Sequence, residues 1–502
     1  MRKYFWILVT IFSFGLYLYT LSPGITWGDS AKLVNYVINK KFTFDFVGGH
    51  NLHTLLGLLF NLLPIRDIAY KQNLMSAFWG SLTLGIFYLD SEKILGSKIA
   101  ALAAVISLAV SQMFWFMSVV NESYSLTYFF FAILLFIMIK YKENHKPLYL
   151  FLFTLSYALS VFANMLLVVF LPAYLYFFLS IDKKIILNNR KIAAIFIGIL
   201  FGFVLPLSLL KIYAASHVFN THPFESIILE INLGIKAYFM SFQHFVKQLI
   251  LYPAYLFYQF PVWGLIIGVM GIYESLKTEK IFFYSLAIVF ILDVFFASVY
   301  MLQRAFNLLV PSFMIFSIII GYGIKWLNKH FSFTKTNTVS VLLLVLLFVT
   351  PIAFYNTVSA YLLSHPKMMV VHARTLPFRN NVEYFLVPNK NRNYGPMKYS
   401  NEIFAALPEN AILISDFTPE EVLRYYQNAY GLRKDVTIVD EDQYVFMGKD
   451  GGSALTRYIS AELKDKRTVF LADNNAQYYF IPDLQKTFDI RKIGLAYQVS
   501  FK

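Results

Sequence analysis

The chain has 502 residues, of which 58% are hydrophobic and only 14% are charged, and its formal net charge is +14. A mean hydropathy of +0.57 lies far above that of soluble globular domains, which excludes that class and predicts an integral membrane protein. Cysteine is absent, so disulfides, thiol catalysis and Cys-type zinc sites are excluded.

The N-terminal apolar run covers residues 4–21 and follows Arg2 and Lys3. It ends in Thr20-Leu21-Ser22-Pro23, without the small-residue pattern at which signal peptides are cleaved. The run is therefore predicted to be a retained first transmembrane helix.

Further apolar runs recur through the first 360 residues. A bilayer core requires roughly 20 apolar residues per helix, and by this rule about eleven helices cross the membrane. The predicted spans are 4–21, 68–92, 97–117, 123–141, 147–163, 165–181, 191–213, 252–276, 280–301, 304–327 and 338–360. Two other stretches, 52–63 and 225–250, are too short or too polar to cross and are predicted to be interfacial helices.

The loop charges predict the orientation of these spans. Lys and Arg concentrate in the even-numbered turns, as at 183–191, and positive loops face the cytoplasm. The N-terminus is then cytoplasmic, and residues 22–67, 118–122, 214–250 and everything after 361 are extracytoplasmic. Because the cations are scattered through short loops and form no single basic face, the partner is predicted to be the lipid bilayer and not nucleic acid.

The sequence becomes polar and turn-rich beyond residue 360, which divides it into a transmembrane domain, 1–360, and an extracytoplasmic domain, 361–502. Residues 411–415 resemble a buried strand, and Thr418-Pro419-Glu420-Glu421 is predicted to be a capping box that starts a helix ending at Gly431. A strand at 436–439, a helix at 453–464 and a strand at 468–472 follow. This alternation predicts a small soluble α/β domain.

Two acidic residues lie on the predicted extracytoplasmic surface, where charges beside membrane helices are functional candidates. Asp29 lies in Trp27-Gly28-Asp29-Ser30, and either it or Ser30 is predicted to cap a helix at 31–39, a role compatible with that of a general base. Glu122 stands at the outer start of the fourth span, where it either stabilises the helix dipole or takes part in catalysis.

Two cations on the same side are candidates for binding a lipid phosphate. Arg304 interrupts an apolar stretch, and Lys211 ends the seventh span, where snorkelling towards headgroups is the alternative explanation. The outer histidines His50, His53, His217, His222 and His244 match no compact metal motif, so no metal site is predicted and a divalent cation is not supported.

The stretch Leu21 to Leu33, with Trp27-Gly28-Asp29-Ser30, resembles the opening signature of a GT-C-type membrane family that includes a protein O-mannosyltransferase. The resemblance continues in 52–57, 73–77 and 122–124, and again in 406–411 and 433–436. Where relatives have a His-Pro-Pro-Gly-like turn, this chain has Phe46-Val47-Gly48-Gly49.

The resemblance implies a GT-C fold, a polyprenyl-phosphate sugar donor and a catalytic acid in the first extracytoplasmic loop. Asp29 matches that acid, and Glu122 matches the second acidic position of the family. Trp27, His50, His53 and Tyr124 are predicted to bind substrate.

The sequence predicts that the protein transfers a sugar to a hydroxyl of a protein or glycan acceptor. The family resemblance implies mannose as the candidate sugar. Asp29 acts as the base, so the anomeric carbon is inverted, and a cation stabilises the departing phosphate. The lipid-linked donor is a substrate, and no cofactor is predicted. A multi-pass transporter or lipid flippase is the alternative function, and a non-catalytic scaffold is a second one.

Overall fold

The structure is a computed structural model that describes residues 4–43, 50–216, 242–299, 305–331, 337–365, 374–441 and 450–502. Within these ranges the chain folds mainly into α-helices, and a five-stranded sheet follows near the C-terminus.

The helices of the first 365 residues form the bundle. They are α1 (Phe5–Tyr19), α2 (Asp29–Ile38), α3 (Asn51–Phe60), α4 (Ile68–Leu95), α5 (Lys98–Ala109), α6 (Gln112–Val119), α7 (Tyr124–Asn144), α8 (Pro147–Ala163), α9 (Leu171–Ile181), α10 (Asn189–Ile199), α11 (Leu205–Ser216), α12 (Phe242–Gln259), α13 (Trp263–Ser275), α14 (Lys280–Val299), α15 (Val310–His330) and α16 (Asn337–Ser364). A 3₁₀ turn, Met165–Phe170, leads into α9, and a π-helical turn, Leu200–Val204, joins α10 to α11.

Helices occupy all eleven predicted spans, but the count of eleven crossings is not confirmed. By length and apolarity, five helices of the described chain can cross a membrane, or seven if each of two bent pairs is one span. Four shorter apolar helices, among them α1 and α8, do not reach that length. The chain is thus a multi-pass membrane protein by length and composition.

The predicted span 252–276 differs most from the structure. Its first part belongs to α12, which already begins at Phe242, and α13 then turns away by 115°. The break follows Phe260, because proline at 261 disfavours a helical conformation for the residue before it, and Val262 adopts a φ of +54°. The predicted interfacial stretch 225–250 therefore ends inside α12, and its residues 225–241 lie outside the described residues.

Helix α3 covers most of the stretch 52–63, which was predicted to be an interfacial helix, and its two faces differ in exposure. His53, Thr54 and Gly57 are buried, whereas Leu55 and Leu59 are 50% and 57% exposed. Helix α4, in contrast, is enclosed by α1, α5 and α7 and buries polar residues such as Gln72 and Asn73. Gln72 donates to Gly57 O of α3, and Asn73 donates to Ser22 O and Gly24 O in the loop after α1. These two side chains therefore have protein partners instead of lipid.

The C-terminal region contains a mixed sheet with the strand order β2-β1-β3-β5-β4. The strands are β1 (Ile412–Ser415), β2 (Thr437–Asp440), β3 (Val469–Leu471), β4 (Phe488–Ile493) and β5 (Ala496–Phe501), and the helices are α17 (Asn381–Leu386), α18 (Gly395–Ala406), α19 (Phe417–Tyr430), α20 (Gly451–Lys464), α21 (Ala476–Tyr479) and α22 (Ile481–Leu484). Strand β1 is parallel to β2 and β3, and β5 is antiparallel to β3 and β4.

Three predicted strands correspond to β1, β2 and β3, and Gly431 ends α19 in the left-handed conformation with a φ of +68°. The capping box at Thr418 is wrong. The N-cap of α19 is Asp416, whose carboxylate accepts hydrogen bonds from Arg374 and from the Tyr479 hydroxyl instead of capping the helix. The hairpin of β4 and β5 was not predicted.

The soluble domain and the bundle share a hydrophobic core on one surface. Ile25, Trp27 and Ala31, from the loop after α1 and from α2, pack in the same cluster as Leu413 and Val422 of the sheet domain. Residues 385–390 contact the bundle directly, since the Gln112 side chain donates to Phe385 O at 2.8 Å. The first loop and the soluble domain therefore lie on the same side of the membrane.

If residues 4–21 cross the membrane as the sequence predicts, the two termini lie on opposite sides, because this span separates residue 4 from the loop that contacts the soluble domain. Protease added to right-side-out vesicles is expected to remove the soluble domain while an N-terminal tag stays protected. Immunoblotting of both ends measures this. Equal protection or equal loss of the two ends would contradict the predicted topology.

Candidate functional site

The loop after α1 is held in place by the bundle beneath it. Ser22 N donates to Val119 O at 3.0 Å, and the Asn73 side chain donates to Ser22 O at 3.0 Å and to Gly24 O at 2.9 Å. Gly28 then adopts a φ of +68°, a conformation that favours glycine, and starts α2. The position of α2 is thereby determined by buried polar contacts.

Asp29 is the first residue of α2 and is exposed to solvent. The predicted capping role is wrong, because the N-cap is Gly28 and the helix has no side-chain cap. A carboxylate in the first turn still interacts favourably with the helix dipole. Asp29 is therefore available to act as a base without serving as a cap.

Ser30 connects α2, which begins with Asp29, to the loop that carries Glu122 through hydrogen bonds. Its hydroxyl donates to Asn121 O at 2.7 Å and lies 3.3 Å from Glu122 Oε1, and the Asn121 amide donates back to Ser30 O at 3.2 Å. Glu122 N donates to the Ser76 hydroxyl at 3.3 Å. These bonds bring the two acidic residues, 93 positions apart, to one place on the membrane surface.

The environment of Glu122 favours its protonated form. Burial raises the pKa of the Glu122 carboxyl, the negative charge of Asp29 raises it further, and the Ser30 hydrogen bond only partly opposes these effects. The pair thus combines an exposed Asp29 with Glu122, whose protonated form is favoured, an arrangement in which one acid can accept a proton while the other donates a hydrogen bond.

Glu122→Gln is expected to stabilise the protein increasingly as the pH rises. A carboxyl whose pKa is higher in the folded than in the unfolded protein lowers the free energy of unfolding at every pH above its unfolded-state pKa. This loss grows with pH until the pH exceeds the folded-state pKa. Glutamine is isosteric and cannot ionise. Melting temperatures of both proteins in detergent, between about pH 5 and pH 8, measure the difference. A pH-independent difference would contradict the raised pKa.

Lys32 is the cation closest in sequence to Asp29. The two residues are three positions apart on α2 and so project from the same face. Burial lowers the pKa of Lys32, but interactions with Tyr36, Asp29 and Glu421 outweigh it and leave the pKa raised. The ammonium group also lies 5.7 Å from the centre of the Phe417 ring, at the start of α19. Lys32 thus remains positively charged between the candidate base and the soluble domain.

His50 and His53, which were predicted to bind substrate, lie beside the region of Asp29 and Glu122. His50 Nδ1–H donates to Ala163 O at 2.7 Å, which leaves Nε2 as the acceptor, and burial lowers the pKa of His50 although the charge of Asp29 opposes the shift. Burial and the neighbouring His50 lower the pKa of His53 to about 3, so its ring, beside Asn121, is neutral. Their roles in binding substrate stay predictions.

The residues described here include no group of three or more His, Cys, Asp or Glu side chains arranged to hold a metal ion. The predicted lack of a metal site stays a prediction.

Trp27 is buried and contacts the soluble domain. Its ring packs edge-on against Tyr399 at 5.4 Å, and the Arg379 guanidinium lies 5.9 Å from its centre. The same guanidinium lies 5.5 Å from the centre of the Tyr384 ring. Burial raises the pKa of the Tyr384 phenol, Arg379 lowers it, and Glu122 raises it. Residues 379–384 therefore form one wall of the site. Trp27 has a packing role here, and its contact with substrate stays a prediction.

The roles of three further candidates, Tyr124 in substrate binding and Lys211 and Arg304 in phosphate binding, stay predictions. Tyr124 begins α7, two residues after Glu122, and its ring lies 6.3 Å from that of Tyr128. Lys211 is half-buried on α11, the helix whose Tyr213 hydroxyl donates to Lys40 O at 3.2 Å, just beyond α2. Arg304 lies outside the described residues.

Residues 39–186 match the family model of the protein O-mannosyl-transferase TMEM260 N-terminal domain. Over 125 residues the chain is 25% identical to protein O-mannosyl-transferase TMEM260 of Mus musculus, which amounts to 25% of this chain and 18% of the mouse protein. The chain thus spans less than a fifth of that relative. The resemblance inferred from the motifs is confirmed, and the matched range contains Glu122, His50 and His53 but begins after Asp29.

Two solved structures of ArnT from Cupriavidus metallidurans share the fold. The structure bound to undecaprenyl phosphate has a TM-score of 0.58 at 11% identity, and the apo structure has 0.57 at 12%, each over 99% of this chain and 97% of the other. This likeness confirms the predicted GT-C-like helical bundle.

Several site residues were missed in the sequence. Lys32 could have been found, because it follows Asp29 at helical spacing within the stretch that resembles the family. Ser30 and Asn121 each adjoin a predicted acid, but nothing in either motif shows that they bond to each other. Arg379 and Tyr384 are more than 250 positions from Glu122, and no local pattern could have placed them there.

Proposed function

Given a sequence that resembles protein O-mannosyl-transferases over residues 39–186 and a fold shared with ArnT, we propose that this chain is a membrane glycosyltransferase. It transfers a sugar from a polyprenyl-phosphate donor to a hydroxyl group of a protein or glycan on the extracytoplasmic side. The observation that carries this proposal is the meeting of Asp29, Glu122 and Lys32 at one surface of the bundle.

In the proposed reaction, the acceptor oxygen attacks the anomeric carbon as the bond between that carbon and the phosphate oxygen breaks. The bonding electron pair leaves with the phosphate, and the hydroxyl proton passes to the Asp29 carboxylate. A single displacement inverts the anomeric carbon. The protonated Glu122 donates a hydrogen bond that orients the acceptor oxygen or the sugar.

Lys32 stabilises the departing lipid phosphate in this scheme. Negative charge grows on the phosphate as the bond breaks, so a fixed ammonium group stabilises the transition state more than the bound donor. The electrostatic stabilisation by an ammonium group is larger where water is excluded. Lys32 is flanked by the rings of Tyr36 and Phe417. Arg304 is proposed to contribute a second positive charge.

The choice of a polyprenyl-phosphate donor is supported by one of the related structures, in which ArnT is bound to undecaprenyl phosphate. Mannose is the first sugar to test, because the mouse relative is named as an O-mannosyl-transferase.

The experiment that tests the function uses the purified full-length chain and a panel of radiolabelled polyprenyl-phosphate sugars. Donor consumption is measured with water as the acceptor and again with added cell extract. Release of the lipid phosphate from one donor of the panel, faster than with an Asp29→Asn chain, is expected. If no donor is consumed under either condition, the proposed function is wrong.

A further inference from the structure

A cleft of about 450 Å³ lies between the bundle and the soluble domain, apart from the acidic site. Ile25 and Arg66 line it from the bundle, and Tyr394, Asn401, Tyr426 and Tyr430 line it from α18, α19 and the residue before α18. This volume is within the usual range of small-molecule binding sites.

The aromatic wall of the cleft is held in its conformation by Asp67. The Tyr430 and Tyr425 hydroxyls donate to Asp67 Oδ2 at 2.6 Å and 3.1 Å, and Tyr70 N donates to Oδ1 at 2.6 Å. The rings of Tyr426 and Tyr430 stack at 5.7 Å with an interplanar angle of 26°. A ligand therefore finds this surface already formed and does not have to order it.

The exposed groups of the cleft combine aromatic faces with an amide, Asn401, and a cation, Arg66. Tyr394 and Tyr430 are 46% and 40% exposed, and Asn401 and Arg66 are also exposed. A sugar ring presents apolar C–H groups on its faces and hydroxyls at its edges. The faces of tyrosine rings can pack against the C–H groups of the sugar. An amide side chain can donate hydrogen bonds to the sugar hydroxyls and accept hydrogen bonds from them.

A polypeptide that binds by adding a strand to a sheet fits this surface less well. Extended peptides are commonly bound by adding a strand to an exposed sheet edge. Here the walls are loops and the helices α18 and α19, whose backbone groups are bonded within the helices themselves.

The cleft is connected to the acidic site by two elements. Ile25 is four residues before Asp29, and α19 runs from Phe417, beside Lys32, to Tyr430 in the cleft. Asp29 itself does not line the cleft, so a ligand that fills the cleft and also reaches Asp29 has to extend beyond the cleft.

We propose that this cleft binds a saccharide chain, and that the acceptor of the proposed glycosyl transfer is therefore a glycan that extends from the cleft to Asp29. The assignment of this ligand as the acceptor rests on the proposed function. The binding of saccharide at the cleft does not.

The test measures binding of mannotriose, chitotriose, maltotriose and a Ser/Thr-rich peptide to the full-length chain in detergent, by ligand-observed NMR. Tyr394→Ala and Asn401→Ala are expected to weaken the binding of at least one trisaccharide roughly tenfold each, a loss of about one hydrogen bond or ring contact. The matched control is Tyr19→Ala, since Tyr19 is 76% exposed at the end of α1 and outside the cleft. Melting temperatures verify that all variants fold.

Binding of no trisaccharide, binding that the two cleft variants leave unchanged, or binding of the peptide alone would each overturn the proposal. Donor consumption with water as the acceptor is measured in parallel. A chain that consumes a donor but fails the saccharide test disproves only the cleft assignment. A chain that binds saccharide at the cleft but consumes no donor disproves the proposed function.

Discussion

Asp29→Asn is expected to lower the rate of sugar transfer by roughly 10²–10⁴-fold, which is the usual contribution of a positioned general base, while donor binding persists. Asparagine has the shape of aspartate but cannot accept the proton of the acceptor. Because Asp29 does not cap α2, this change should cost only the interaction of the carboxylate charge with the helix dipole, about 0.3–1 kcal/mol. The measurement is transfer at matched membrane expression, with thermal stability in parallel.

Two variants make this test specific. Asp29→Ala should lose as much activity and should destabilise by only about 0.3–1 kcal/mol, through the lost interaction with the helix dipole. Asp483→Asn changes an exposed acid in the first turn of another helix and should retain full activity. A fully active Asp29→Asn enzyme would remove Asp29 as the base and leave Glu122 as the candidate, which would then have to act in its ionised form.

Lys32→Met is expected to reduce turnover of the lipid donor by roughly 10²–10³-fold, the usual cost of removing one group that stabilises transition-state charge. Lys32→Arg keeps the positive charge and should retain more activity, although its planar fork is longer and differently shaped. The kcat and KM for the donor, and the affinity for the sugar-free polyprenyl phosphate, measure the effect.

Lys41 provides the matched control for this prediction. It is exposed, belongs to the same segment, and places its ammonium group 5.2 Å from the centre of the same Tyr36 ring. Lys41→Met should therefore leave donor turnover unchanged. If Lys32→Met also has wild-type kinetics, Lys32 serves only to pack α2 against the soluble domain, and Arg304 becomes the main candidate for the phosphate.

Helix α2 links the reaction site to the soluble domain. The Asn35 amide donates to Glu421 O at 2.8 Å and to Glu421 Oε2 at 2.7 Å, and Trp27 is part of the soluble domain's core. The helix that carries the candidate base is thus packed between two parts of the chain. Its orientation depends on both, so changes in the soluble domain are expected to alter the chemistry as well as acceptor binding.

The sequence by itself determined the membrane class, the position of nearly every long helix, the β1, β2 and β3 strands and both acidic candidates. These features follow from local properties. An apolar run of sufficient length, a Gly at a helix end and a charge beside a membrane helix each have a physical meaning that does not depend on distant residues.

Only the tertiary structure decided which of these residues meet. The contact between Ser30 and Asn121 and the neighbourhood of Arg379 and Tyr384 depend on residues far apart in the chain, and so do the bonds of Asp416 at the start of α19. A side chain near a helix start bonds to whichever partner the fold places within reach, and the Asp416 carboxylate bonds to Arg374 and Tyr479 instead of its own helix. Such choices are made by packing, because buried polar groups must find partners and the fold decides which are available.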